Sequence, residues 1–454
     1  MTSPDKPGRR RTDMKKIHVK DHLRSINPKA EETFFRSYDA EGNLCETRVL
    51  SCEEDYAGGS FTRRSPDNGR TFGEWVTNYN DADGGRRGRI PGSKEGDELL
   101  GGCSPYFRDP KTGCTVGVGS TFYYLNGHDV GYFAYWEKGE DNIRTHAYFS
   151  IRRPDGHEET RLIELEEGGA DYDPANPRNP AFLDKNRAMV GDLRQLPDGD
   201  LAFHLFPTVR LCCRMAGVDV NAFFPSCPDL HSGLVVVRLH WNPEKDDYDM
   251  IFSAPIMLSD LQSSRCIMEP QAQILPSGRW MIVFRGSNTM VEAWHTRTDP
   301  TTPGFKWVVY SDDGGRTFSP PTPWHFDTRE VVYSSASISA LYRHRGNGRL
   351  YWIGNIMDDP STITGNNPRW PLVIAEVNEQ FGCLIKDSLT VIDTLREDEE
   401  QTELSNPDLF VNRETGNLEI RLTKINLIKV KDGVRLDLDK WYSEAWEYEI
   451  SFDD

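Results

Sequence analysis

The chain has 454 residues, of which 37% are hydrophobic, 27% charged and 11% aromatic, so it can bury a core and is not a disordered polymer. Its formal net charge of −18 repels phosphate backbones and anionic lipid surfaces, so neither nucleic acid nor a membrane is an expected partner. No run of about 18 apolar residues occurs, so no transmembrane helix is expected.

The first residues, MTSPDKPGRRRTDMKKIHVKD, are basic but have no apolar run behind them. They read as a solvated tail over residues 1–25, not as a secretory signal, and they point to a cytoplasmic location. The nine cysteines are odd in number and irregularly spaced, with no CxxC pair, so no zinc ribbon is expected. The adjacent Cys212 and Cys213 read as small buried hydrophobes with reduced thiols. Neither a dedicated metal site nor a nucleotide-binding loop is present, and no cofactor is expected.

From residue 26 onward, short runs rich in Val, Ile, Phe, Tyr and Trp alternate with Asp, Gly, Asn and Pro clusters. The turn cores DPKTG, LPDG, LPSG, RGNG and NRETG recur along the chain, each between two strand-like runs. Repetition of one strand-turn-strand unit is the mark of propeller blades. The expected architecture is all-β: a single six-bladed β-propeller over residues 26–454, built of four-stranded antiparallel blades. The blades divide as 30–95, 98–166, 185–260, 265–325, 333–396 and 400–450. Residues 81–98 and 171–186 read as inter-blade loops.

One repeat is sharper than the rest. Residues 65–72 read SPDNGRTF and residues 311–318 read SDDGGRTF, and both fit S-x-D-x-G-x-T-F. The Asp carboxylate accepts backbone N–H bonds inside the turn, the Gly supplies positive φ, and the Phe anchors the hairpin between sheets. Ser150 to Gly156 looks like an eroded third copy. This pattern resembles the Asp box, or BNR repeat, of the sialidase superfamily, whose members are six-bladed propellers. The boxes themselves read as rim turns, so their Asp residues are not candidate catalytic acids.

The resemblance implies a glycan or oligosaccharide partner and an exo-acting glycoside hydrolase that removes a terminal sugar in the central funnel. Glu269 opens one strand-like run and Arg285 closes the next, so a hairpin sets them side by side. This looks like the family segment in which a glutamate polarises a tyrosine nucleophile and an arginine belongs to the triad gripping the substrate carboxylate. The resemblance therefore implies Glu269 as catalytic carboxylate or polariser. Arg285 and Arg369 would clamp an acidic or hydroxyl-rich substrate, with Asn355 as a secondary contact. For the first arginine of a triad, Arg36 stands in the expected order, whereas Arg89-Ile90-Pro91 carries the family's Arg-Ile-Pro but falls after the first Asp box. The stretch Leu404 to Phe410, where the family presents its tyrosine, has none; Tyr442 is late and Tyr333 belongs to an earlier blade.

Two other functions remain open from the residues. His128, His146, His204 and His240 lie in or beside strand-like runs, and a His paired with Tyr or Arg is able to abstract the proton α to a uronate carboxylate, which would make a polysaccharide lyase. A propeller that only binds sugar or protein needs no central carboxylate.

Overall fold

The computed structural model describes residues 17–39, 41–52, 57–80, 88–90, 97–125, 143–169, 172–289 and 295–453. Six antiparallel sheets follow one another along the chain and form the blades of a β-propeller. Blade one comprises Glu31–Tyr38, Leu44–Ser51, Gly59–Ser65 and Val76–Asn80. Blade two comprises Glu98–Arg108, Thr115–Tyr124, Ile143–Arg152 and Glu158–Leu162. Blade three comprises Ala188–Gln195, Leu201–Pro207, Val235–Asn242 and Asp247–Phe252. Blade four comprises Met268–Ile274, Trp280–Arg285, Lys306–Ser311 and Thr322–Pro323. Blade five runs Ala340–Arg343, Leu350–Asn355 and Leu372–Asn378, with Cys383–Leu384 and Thr390–Asp393 both pairing the third strand.

Blade six closes the ring. Glu399–Glu403 and Asp408–Val411 share its first position, Leu418–Lys431 and Ser443–Phe452 follow, and the N-terminal strand Ile17–Asn27 supplies the outermost position. This corrects the expected tail over residues 1–25: from Ile17 onward the segment is a strand, paired along its length with Ser443–Phe452. Its composition is polar because an edge strand is half exposed and has little apolar surface to hide.

The first strands of blades two and three, four and five, and six and one touch one another, which places them around the axis. In blades three and five the second strand is the most buried. Trp280–Arg285 and Leu350–Asn355 are covered almost throughout, because a blade neighbour lies on each face and the strand reads as a continuous apolar run. Apolar clusters join blades two and three, three and four, four and five, and five and six. The seam between blades six and one is ionic instead. Glu46, fully buried, takes the guanidinium groups of Arg24, Arg36 and Arg63 at 2.5, 3.0 and 2.6 Å.

The two S-x-D-x-G-x-T-F segments lie between the third and fourth strands of blades one and four and close the same hydrogen-bond set. Ser65 Oγ donates to Asp67, the Gly69 N–H to Ser65 Oγ, and both the N–H and hydroxyl of Thr71 to Asp67. Ser311, Asp313, Gly315 and Thr317 repeat the arrangement. Gly69 and Gly315 have φ of 91° and 84°, values that favour glycine. The eroded copy in blade two keeps only an ordinary turn, with the Arg153 N–H donating to the His157 carbonyl.

Because strand direction alternates, the turns between first and second strands and between third and fourth strands emerge at one end of the ring. The starts of first strands and the ends of second strands lie at the opposite end. The funnel candidates belong to that opposite end.

Candidate active site

Glu269 stands at the second position of blade four's first strand, and Arg285 ends the second strand. The pairing slips between Met268↔Arg285 and Gln271↔Val283, leaving a bulge at Glu269 and Pro270. Glu269 takes φ of 49°, a left-handed conformation that a non-glycine residue adopts only when its surroundings impose it. The bulge aims the carboxylate back along the sheet edge. Arg285 Nη2 meets Glu269 Oε1 at 2.6 Å, and its Nη1 donates to the Ala336 carbonyl. Glu269 Oε2 is buried without a hydrogen-bond partner, although the side chain as a whole is 34% exposed.

A second pair comes from blades five and six. Arg369, in the loop before Leu372–Asn378, contacts Glu403 at 2.8 Å, and its Nε donates to the Asn366 carbonyl. Glu403 ends the first half of blade six's inner strand and also accepts from Asn426 Nδ2 at 2.9 Å. The loop carrying Arg369 has two cis peptide bonds, Asn367–Pro368 and Trp370–Pro371.

Lys306 feels the charges of Arg285, Glu269 and Arg369. It is fully buried, opposite Arg285 in the sheet, and its ammonium donates to the Ser337 carbonyl. Burial pushes its pKa down to about 7; the positive fields of Arg285 and Arg369 add to this and the Glu269 charge opposes it.

Asn355 ends blade five's second strand but is fully buried, so the expected contact with substrate is corrected. Its Nδ2 lies 3.0, 3.1 and 3.0 Å from the carbonyl oxygens of Arg369, Pro371 and Leu404. The amide pins the Arg369 loop to the chain just beyond Glu403. Arg36 is also corrected. It lies in the second half of blade one's first strand, and its guanidinium is spent on Glu46 and Glu419 at 3.0 Å each, in the seam with blade six. Arg89 pairs by backbone with Glu98 at the start of blade two's first strand, and Pro91 lies outside the described residues.

The histidines offer little to a base-catalysed elimination. His204 and His146 are buried, and burial pushes each down to about 4. His240 pairs with Asp200 at 3.0 Å, and Asp200 precedes the second strand of its blade, so the pair lies at the end away from the funnel. His128 lies outside the described residues. Among the cysteines, Cys212 and Cys266 are enclosed, and burial raises Cys266 to about 12, which suits inert thiols. Among the described residues no group of three or more His, Cys, Asp or Glu side chains is placed to hold a metal ion. No helix among them is long and apolar enough to cross a membrane.

Two members of this cluster escaped the sequence reading. Lys306 had a signal, a lysine opening the apolar run KWVVYS, but on a third strand, where axial residues are not sought. Glu403 lies in EEQTE among other acidic residues, and nothing local marks which of them faces an arginine.

No protein-family profile and no curated protein matches the chain. Among solved structures, a protein of unknown function from Dyadobacter fermentans is similar with a TM-score of 0.48 at 13% identity, over 95% of this chain and 99% of that one. The NanB sialidase of Streptococcus pneumoniae is similar with a TM-score of 0.47 at 12% identity, over 94% of this chain and 70% of that one. The Trypanosoma rangeli sialidase has a TM-score of 0.42 at 8% identity, over 94% of this chain and 55% of that one.

Proposed function

We propose that this propeller is a carbohydrate-active hydrolase that removes a terminal sugar held in its central funnel. The observation that carries the reading is the pair of carboxylates, Glu269 and Glu403, each held by an arginine. Glycoside hydrolysis needs two carboxyl groups beside the scissile bond, one to donate a proton to the leaving oxygen and one to stabilise or attack the anomeric carbon. Glu269, with its side chain 34% exposed, is the more open of the two carboxylates and the one we assign to meet the sugar. Glu403, bonded at both oxygens, is the more rigidly oriented second group. Arg285 and Arg369 keep both carboxylates in place. Glu269, Arg285 and Glu403 stand on strands and the Arg369 loop is pinned by the Asn355 amide, which preorganises the constellation.

The test is hydrolysis of a panel of terminal glycosides, including sialosides and rhamnosyl-, arabinosyl- and uronate-capped glycans, by the full chain and its Glu269→Gln variant. Turnover lowered at least about 100-fold by the substitution supports the reading. A product absorbing in the near ultraviolet replaces it with a uronate lyase, and sugar binding without turnover replaces it with a binding propeller.

A further inference from the structure

We infer that the funnel selects a neutral, hydroxyl-rich sugar and disfavours one bearing a carboxylate; this rests on the proposed role of the funnel as the sugar site. A carboxylate is gripped by guanidinium groups that lack another anion. Here Arg285 is held by Glu269 at 2.6 Å, Arg369 by Glu403 at 2.8 Å, and Arg36 by Glu46 and Glu419 in the blade seam. One further N–H group of each is engaged as well, Arg285 Nη1 by the Ala336 carbonyl and Arg369 Nε by the Asn366 carbonyl. The third cation of the cluster, Lys306, is sealed from solvent and cannot reach a ligand.

A ligand carboxylate entering this cluster must displace a protein carboxylate from its arginine. Glu403, only 8% exposed, would then be left as a buried anion without its counterion, which costs more than the new pair returns. Glu269, whose side chain is 34% exposed, is the open anion of the cluster; a sugar hydroxyl donates to a carboxylate, whereas a ligand carboxylate sets a second anion beside it. The acidity of the whole chain, formally −18, adds repulsion of the same sign.

The experiment compares isosteric pairs that differ only at the sixth carbon: methyl galactoside against methyl galacturonide, and methyl glucoside against methyl glucuronide. Binding to the full chain is measured by calorimetry or ligand-observed NMR, with a sialoside alongside. The neutral member of a bound pair is expected to bind at least about tenfold more tightly. In Glu403→Gln, which frees Arg369, that preference is expected to shrink or reverse. A wild-type preference for the uronide or sialoside overturns the inference and leaves the hydrolase reading intact. An unchanged ratio in Glu403→Gln also overturns it. Binding of no member of any pair overturns it together with the funnel reading.

Discussion

Lys306 is costly where it sits, because its charged form has lost water and lies near two guanidinium groups. Its pKa is about 7 in the fold against 10.5 for the free side chain, so between these values the unfolded chain binds more protons than the folded one. Stability therefore rises with pH from about 7 to about 10.5, and the cost is present in full below 7. Lys306→Met is expected to raise the melting temperature clearly at pH 6 and much less near pH 10, the difference amounting to a few kcal/mol. Thermal unfolding of both proteins across that range checks it. Asn355 acts the other way. Asn355→Ala removes a donor shared by three carbonyls, of which Arg369 keeps the Leu404 N–H, with an expected loss of roughly 1–3 kcal/mol in denaturant unfolding. Because the amide anchors the Arg369 loop, the same variant is expected to lose turnover, and Asn355→Asp, which cannot donate, to fare no better. In the sequence, Asn355 looks like a funnel residue because it ends an apolar run. Burial of that strand end beneath the Arg369 loop, more than a dozen positions further on, is what makes it structural.

At the scale of the element, the tight turns were the most legible part of the chain. Every bond in Ser311 to Phe318 joins residues a few positions apart, so the pattern alone specifies the turn. The hydrogen bonds of Thr317, foremost its hydroxyl, with those of Ser311 and the Arg316 N–H, hold the Asp313 carboxyl well below the usual range. Asp313→Ala is expected to lower the melting temperature while leaving sugar binding unchanged, since the turn lies at the end of the ring away from Glu269. Calorimetric unfolding beside ligand binding tests both halves. The bulge at Glu269 had no such local signature. Its left-handed φ comes from pairing Met268 with Arg285 while Gln271 pairs with Val283, a register that depends on the partner strand. The N-terminal strand was missed for a related reason. Its pattern IHVKDHLRSIN shows no clean alternation, and its partner Ser443–Phe452 lies more than 400 positions away.

At the scale of the whole molecule, the ring is closed by charge between blades six and one, whereas apolar clusters join the blades from two to six. Burial raises the Glu46 carboxyl, but Arg24, Arg36 and Arg63 outweigh that and bring it down to about 2. A carboxylate with a depressed pKa contributes stability above its unfolded value near 4.5, and that contribution is lost as pH falls toward 2. Glu46→Gln leaves three arginines crowded without their shared counterion and is expected to cost about 3–5 kcal/mol at neutral pH. The difference from the unsubstituted chain is expected to shrink between pH 4.5 and 2. Denaturant unfolding at several pH values checks this, and a constant difference counts against the seam as an electrostatic latch.

The sequence by itself determined what is local or periodic: the β class, the recurring hairpins, the two box-like turns, and the Glu269 and Arg285 pair, which one hairpin brings together. Each depends on backbone geometry and hydrogen bonds over a short stretch of chain, so composition and spacing carry the information. Only the tertiary structure decided which charges meet across blades. The pairing of Arg369 with Glu403, the burial of Lys306 within the field of Arg285, Glu269 and Arg369, the diversion of Arg36 into the blade seam and the docking of Ile17–Asn27 all join segments distant in sequence. A charge carries no mark of its counterion until the ring closes and fixes, blade against blade, which side chains are deprived of water together.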